Sequence, residues 1–151
     1  MSSIKRIIMI DDDLIAIKIG DHVIKRTLPN IDVCSFTSPE AGLEFIRIEY
    51  GVNPVKTILF LDINMPVMSG WGVLDKLGNY EALIKEHLPI YICSSSISFH
   101  DTMLSSRHPL VTGFVEKPMT KQKLMDIMRR EHYNRKHYFL TYSSSDNIIY
   151  F

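Results

Sequence analysis

The sequence predicts an α/β protein: a five-stranded parallel sheet flanked by five helices. Two patterns carry the prediction. Short apolar, β-rich runs alternate along the chain with stretches of helical spacing. Three of those runs also end abruptly at charge: Ile7-Ile8-Met9-Ile10 leads into Asp11-Asp12-Asp13, Thr57-Ile58-Leu59-Phe60-Leu61 into Asp62, and Phe114-Val115-Glu116 into Lys117-Pro118. Right-handed crossovers put all strand carboxyl ends on one edge of such a sheet, where ligands bind. The three charged ends therefore meet in one crevice.

The elements follow in order. Ile4–Ile10 reads as a strand buried on both faces. Leu14–Leu28 has apolar residues at Leu14, Ile17, Ile24 and Leu28, a helical spacing, and Pro29-Asn30 ends it. Ile31–Phe36 is the second strand. Thr37-Ser38-Pro39-Glu40 has the pattern of a helix start with proline in the first turn, opening a helix through Ala41, Leu43, Phe45, Ile46 and Ile48 that Gly51 stops. Val55–Leu61 is the third strand. The loop Asn64-Met65-Pro66-Val67-Met68-Ser69-Gly70 leads to a helix from Trp71, with a break expected near Gly78-Asn79 and a continuation through Glu86. Pro89–Cys93 is the fourth strand and Ser98–Arg107 a polar helix. Val111–Val115 is the fifth strand, and Thr120–Arg130 the last helix, with Leu124, Ile127 and Met128 inward.

With 151 residues, the chain has room for one domain with a real core. Lys+Arg and Asp+Glu are both 17, so the formal charge is zero, which argues against a nucleic-acid partner. No apolar run approaches the ~20 residues of a membrane helix, and the start is too short for a signal-peptide core. Cys34 and Cys93 both fall in strand-like segments and read as buried free thiols of a cytoplasmic protein. Residues 1–131 form the domain. The remainder, 132–151, is polar and aromatic without a period, and is expected to extend the last helix or be disordered. Its aromatics, among them Tyr133, Tyr138 and Tyr150, suit docking on the face of the fourth helix, fifth strand and fifth helix, or on a partner. A frayed terminus is the plainer reading.

Asp62 is the central candidate. A lone strand-end aspartate usually caps a turn. Asp11 and Asp12 change that balance, because carboxylates crowded in a partly buried site repel. A divalent cation relieves the repulsion, and Mg²⁺ favours such an oxygen site. Asp13 is expected to cap the following helix and complement its dipole. Lys117 can reach across the strand ends toward a phosphoryl oxygen, though most lysines are merely solvated. Ser94 ends the fourth strand and can donate a hydroxyl to the same group, against the plainer reading of a loop-start serine.

These residues resemble the motifs of a response regulator receiver domain of two-component signalling, of the chemotaxis-type single-domain kind. The resemblance covers about Lys5 to Arg130 and rests on Ile10-Asp11-Asp12-Asp13, Leu61-Asp62 through Gly70, Cys93-Ser94-Ser95 and Phe114-Val115-Glu116-Lys117-Pro118. It implies a flavodoxin-like sheet of strand order 2-1-3-4-5. It implies that Asp62 accepts a phosphoryl group from a histidine kinase or histidine phosphotransfer protein. Asp12, Asp62 and the Asn64 backbone carbonyl would bind Mg²⁺ directly, with Mn²⁺ as an alternative, and Asp11 would act mainly through a water. Ser94 and Lys117 would bind phosphoryl oxygens. Ser94 and Phe114 would form a switch that alters the surface of the fourth helix, fifth strand and fifth helix for a downstream protein or a second copy. A cis Lys117–Pro118 bond is also implied.

The departures from the family pattern are few. Ser94 stands for a commoner threonine and keeps the hydroxyl. Phe114 stands where tyrosine is frequent and lacks the phenolic hydrogen bond. Ser69 replaces a frequent aspartate and still caps a helix. The chain ends soon after the last helix, so no output domain is expected. Two other functions compete. A Mg²⁺-dependent phosphohydrolase would need an acid two residues after the nucleophile, where Asn64 stands. A non-phosphorylated binding module would need a lost acid, lysine or hydroxyl, and none is lost.

Overall fold

The computed structural model describes residues 3–52, 54–96, 98–133, 140–142 and 148–150. Its strands are β1 (Arg6–Ile10), β2 (Asp32–Phe36), β3 (Thr57–Asp62), β4 (Ile90–Ser94), β5 (Val111–Glu116), β6 (Leu140–Tyr142) and β7 (Ile148–Tyr150). Its helices are α1 (Leu14–Thr27), α2 (Pro39–Val52), α3 (Gly70–Leu77), α4 (Glu81–His87), α5 (Phe99–Arg107) and α6 (Lys121–His132). The expected break in the third helix is real: a 3₁₀ turn, Gly78–Tyr80, joins α3 to α4.

The order β2-β1-β3-β4-β5 is that of the expected parallel sheet. Strand residues alternate between its two faces. Ile8, Ile10, Leu59, Leu61, Ile92 and Phe114 pack with Ile46 of α2, Val73, Leu74 and Leu77 of α3 and Ile84 of α4. Ile7, Met9, Ile58, Phe60, Tyr91 and Val115 pack on the other face with Ile17 and Ile24 of α1 and Leu124 and Ile127 of α6. Each such side chain removed from water contributes roughly 1.5–3 kcal/mol. All six residues of β3 are buried, because helices cover both of its faces.

Two sequence expectations need correction. Leu14 is 54% exposed, since the inward stripe of α1 is Ile17, Gly20 and Ile24. The tail is the larger change. His132 ends α6 and Tyr133 follows it, while the six described residues beyond them are strand: β6 pairs parallel with β5, and β7 pairs antiparallel with β6. Thr141, Tyr142, Ile148, Ile149 and Tyr150 are β-branched or aromatic, suited to strands. They meet the free edge that a fifth strand would otherwise leave open. The tail thus docks on its own domain, with Phe114 of β5 opposite Thr141 of β6.

Candidate functional site

The crevice forms where β1, β3, β4 and β5 end. Asp11 follows β1 directly and is 7% exposed, while Asp62 is the last residue of β3 and 5% exposed. Asp12 is exposed, and Asp11, Asp12 and Asp62 each place a carboxylate oxygen within 4.8 Å of the others. Asp13 caps α1 as expected, accepting the Ile15 N–H at 2.9 Å. Asp11 Oδ1 accepts the Asp13 N–H at 2.9 Å, which fixes the turn between β1 and α1. Asp62 Oδ1 accepts the Asn64 N–H at 3.3 Å, and the Asn64 side chain is exposed.

Lys117 supplies the positive charge. Its Nζ lies 2.5 Å from Asp11 Oδ2 and 3.4 Å from Asp62 Oδ1. The Lys117 N–H donates to the Ser94 carbonyl at 2.7 Å, so the end of β4 holds the start of the lysine's loop. Lys117–Pro118 is cis. Burial works against the Lys117 ammonium, but the hydrogen bond to Asp11 and the charges of Asp11 and Asp62 outweigh it and raise its pKa.

Asp62 is the perturbed acid. Burial, first, and the charge of Asp11, second, push its pKa from 3.8 to about 6, against the opposing charge of Lys117 and the Asn64 N–H. Three carboxylates face one ammonium, with ligand oxygens close enough to share an ion. A hard divalent cation with oxygen ligands fits this donor set, because it removes the repulsion that raises the Asp62 pKa.

Ser94 is fully buried, and its Oγ accepts the Ser96 N–H at 3.4 Å. Phe114 is fully buried in the core beneath the crevice. Trp71 packs at the start of α3 against the same core. Cys34 and Cys93 are both free, though Cys34 is only half-buried. Cys93 lines a cavity of about 300 Å³ that runs from Asp11, Asp62 and Lys117 toward Ile15 and Ile19 of α1. Burial pushes the Cys93 thiol up to about 12, so it is an inert wall rather than a nucleophile.

Sequence reasoning missed two residues that shape the site. A Cβ on Gly70 would lie 2.5 Å from the Asp62 carbonyl oxygen and 2.9 Å from Ile63 Cα, so only glycine lets α3 start this close to the strand end. Lys123 is buried, and its Nζ donates to the carbonyls of Glu116 and Pro118 at 2.8 and 3.1 Å. Gly70 had a signal in the Ser-Gly pair of its loop. Lys123 had none, because its partners are backbone atoms that only the folded loop presents.

The model of the response regulator receiver domain matches residues 7–129. A two-component response regulator from Cytophaga hutchinsonii is similar in structure, at 26% identity and a TM-score of 0.78, over 87% of this chain and 98% of that one. A response regulator receiver protein from Dyadobacter fermentans shares the fold at 18% identity and a TM-score of 0.75, over 83% and 96% of the two chains. The chemotaxis response regulator CheY4 of Vibrio cholerae shares it at 17% identity and 0.66, over 85% and 98%. No curated protein sequence matches. The family match spans every strand end that builds the crevice, and so the chain belongs to the response regulator receiver domains of two-component signalling.

Proposed function

We propose that this receiver takes a phosphoryl group onto Asp62 from a histidine kinase or histidine phosphotransfer protein and thereby alters a protein-binding surface. One observation carries the reading: Asp62 lies in a cluster of three acids within 4.8 Å, with the Lys117 ammonium 3.4 Å from its carboxylate. A carboxylate oxygen of Asp62 forms the new P–O bond as the P–N bond of the donor phosphohistidine breaks, and the leaving imidazole takes up a proton. Asp11, Asp12, Asp62 and the Asn64 carbonyl are the residues that would hold Mg²⁺. The ion, when bound, neutralises charge on the transferring group and aligns it.

Lys117 and Ser94 bind the phosphoryl oxygens in this reading. Among the described residues the Ser94 hydroxyl has one long contact, from the Ser96 N–H at 3.4 Å, so turning inward gives up little. Phe114 responds next to it, because β4 and β5 pair Ile92 with Phe114 and Ser94 with Glu116. The affected surface is α5, β5 and α6. A local charge change thus biases a packed element, as in other switches. The two free thiols suit a reducing, cytoplasmic site of action.

The test is incubation with Mg²⁺ and a purified histidine phosphotransfer protein carrying labelled phosphate. Label should move to this chain and be lost when EDTA is added first. Label that stays on the donor with every phosphotransfer protein tried, and with acetyl phosphate as well, would overturn the reading.

A further inference from the structure

Lys123 is a buried ammonium that the chemistry above does not use. It is 5% exposed and sits in the first turn of α6, where the helix dipole disfavours a cation. Burying an ammonium is unfavourable unless it is well paired. Here its hydrogen bonds go to two main-chain carbonyls, Glu116 at 2.8 Å and Pro118 at 3.1 Å. Those two carbonyls flank Lys117. The same segment is held from the other side by the Lys117 N–H on the Ser94 carbonyl. Thr120 caps α6 through the Lys123 N–H at 3.3 Å, so the helix start is formed without the Lys123 side chain.

We propose that Lys123 is a positioning residue, acting through the Glu116 and Pro118 carbonyls to aim the Lys117 ammonium at the phosphoryl site. The inference rests on the phosphotransfer reading of Asp62. Lys123 touches no reacting atom. It restrains the backbone from which Lys117 reaches Asp11 and Asp62, and small misplacements of such a group slow phosphoryl transfer steeply.

The experiment compares the full chain with Lys123→Met, which keeps length and volume but donates no hydrogen bond. The readouts are Mg²⁺ binding by calorimetry, phosphorylation by acetyl phosphate, and the ¹⁹F spectrum of the Mg²⁺–beryllofluoride complex. Mg²⁺ should bind at least as tightly, since the acids are untouched and a displaced Lys117 competes less for them. The maximal phosphorylation rate should fall about tenfold, with the half-saturating donor concentration unchanged. The fluorine signal assigned to the Lys117 contact, identified with Lys117→Ala, should move. Lys123→Gln keeps one donor and should fall between the two chains; it also carries the test if Lys123→Met does not fold. A wild-type rate and spectrum in a variant that is merely less stable would overturn the proposal, as would failure of both variants to fold. Absence of beryllofluoride signals in the unmutated chain would instead overturn the Asp62 reading beneath it.

Discussion

The Lys117 ammonium is closer to Asp11 (2.5 Å) than to Asp62 (3.4 Å). The cation of the site is therefore spent mainly on the neighbour, and the acid at the end of β3 is left under-compensated. Burial and the charge of Asp11 therefore raise its pKa to about 6 despite a lysine in reach. An acid in that state gains from whatever positive charge enters the crevice.

Asp62→Asn should therefore stabilise the metal-free protein. The folded-state pKa of Asp62 lies above its unfolded value of 3.8, so the folded state binds the proton more tightly. Stability then falls as pH rises from about 4 to about 6 and stays lower above. At pH 7.5 the asparagine variant should be more stable by on the order of 1 kcal/mol after solvent screening, and so melt higher. The gain should vanish near pH 4 and shrink when Mg²⁺ is added. Thermal denaturation across this pH range checks it, and a lower melting point for the variant at pH 7.5 would contradict it.

Lys117→Gln removes the cation that competes for the same carboxylates. Mg²⁺ should bind about tenfold more tightly, while phosphorylation slows. Calorimetric titration measures the first effect. Weaker Mg²⁺ binding would mean that Lys117 organises the acids rather than competes for them.

Gly70→Ala should destabilise the fold by about 1–3 kcal/mol, because the added methyl meets backbone rather than a yielding side chain. The displaced atoms belong to Asp62 and Ile63, so the phosphorylation rate of the folded protein should fall as well. Urea denaturation gives the first number. An unchanged midpoint would show that α3 can slide away at little cost.

The five-strand order and the strand-end acids were legible because runs such as Thr57–Leu61 are long, apolar and punctuated by charge. Other features depend on tertiary context. Leu14 fits the helical period but lies on the solvent side, because α1 turns Ile17, Gly20 and Ile24 to the sheet instead. The triplets of β6 and β7 are too short to show a period. They become strands through pairing with the edge of β5. The Lys123 contacts depend on where a loop carbonyl points, which no side-chain pattern encodes.

Deleting residues 134–151 removes β6 and β7 and bares the β5 edge at Gly113, Phe114 and Val115. An uncovered strand edge pairs with other chains. The truncated protein should associate in a concentration-dependent way in sedimentation velocity at concentrations where the full chain does not. A truncated chain that sediments as the full-length one does would show that β6 is dispensable as a cover.

The central claim is that Asp62 is the phosphoryl acceptor. Borohydride reduces an aspartyl phosphate to homoserine, and peptide mass spectrometry then locates the converted residue. After incubation with Mg²⁺ and acetyl phosphate, conversion should occur at Asp62 alone and be absent from Asp62→Asn. Conversion at Asp11 or Asp12 instead, or none at any residue, would contradict it.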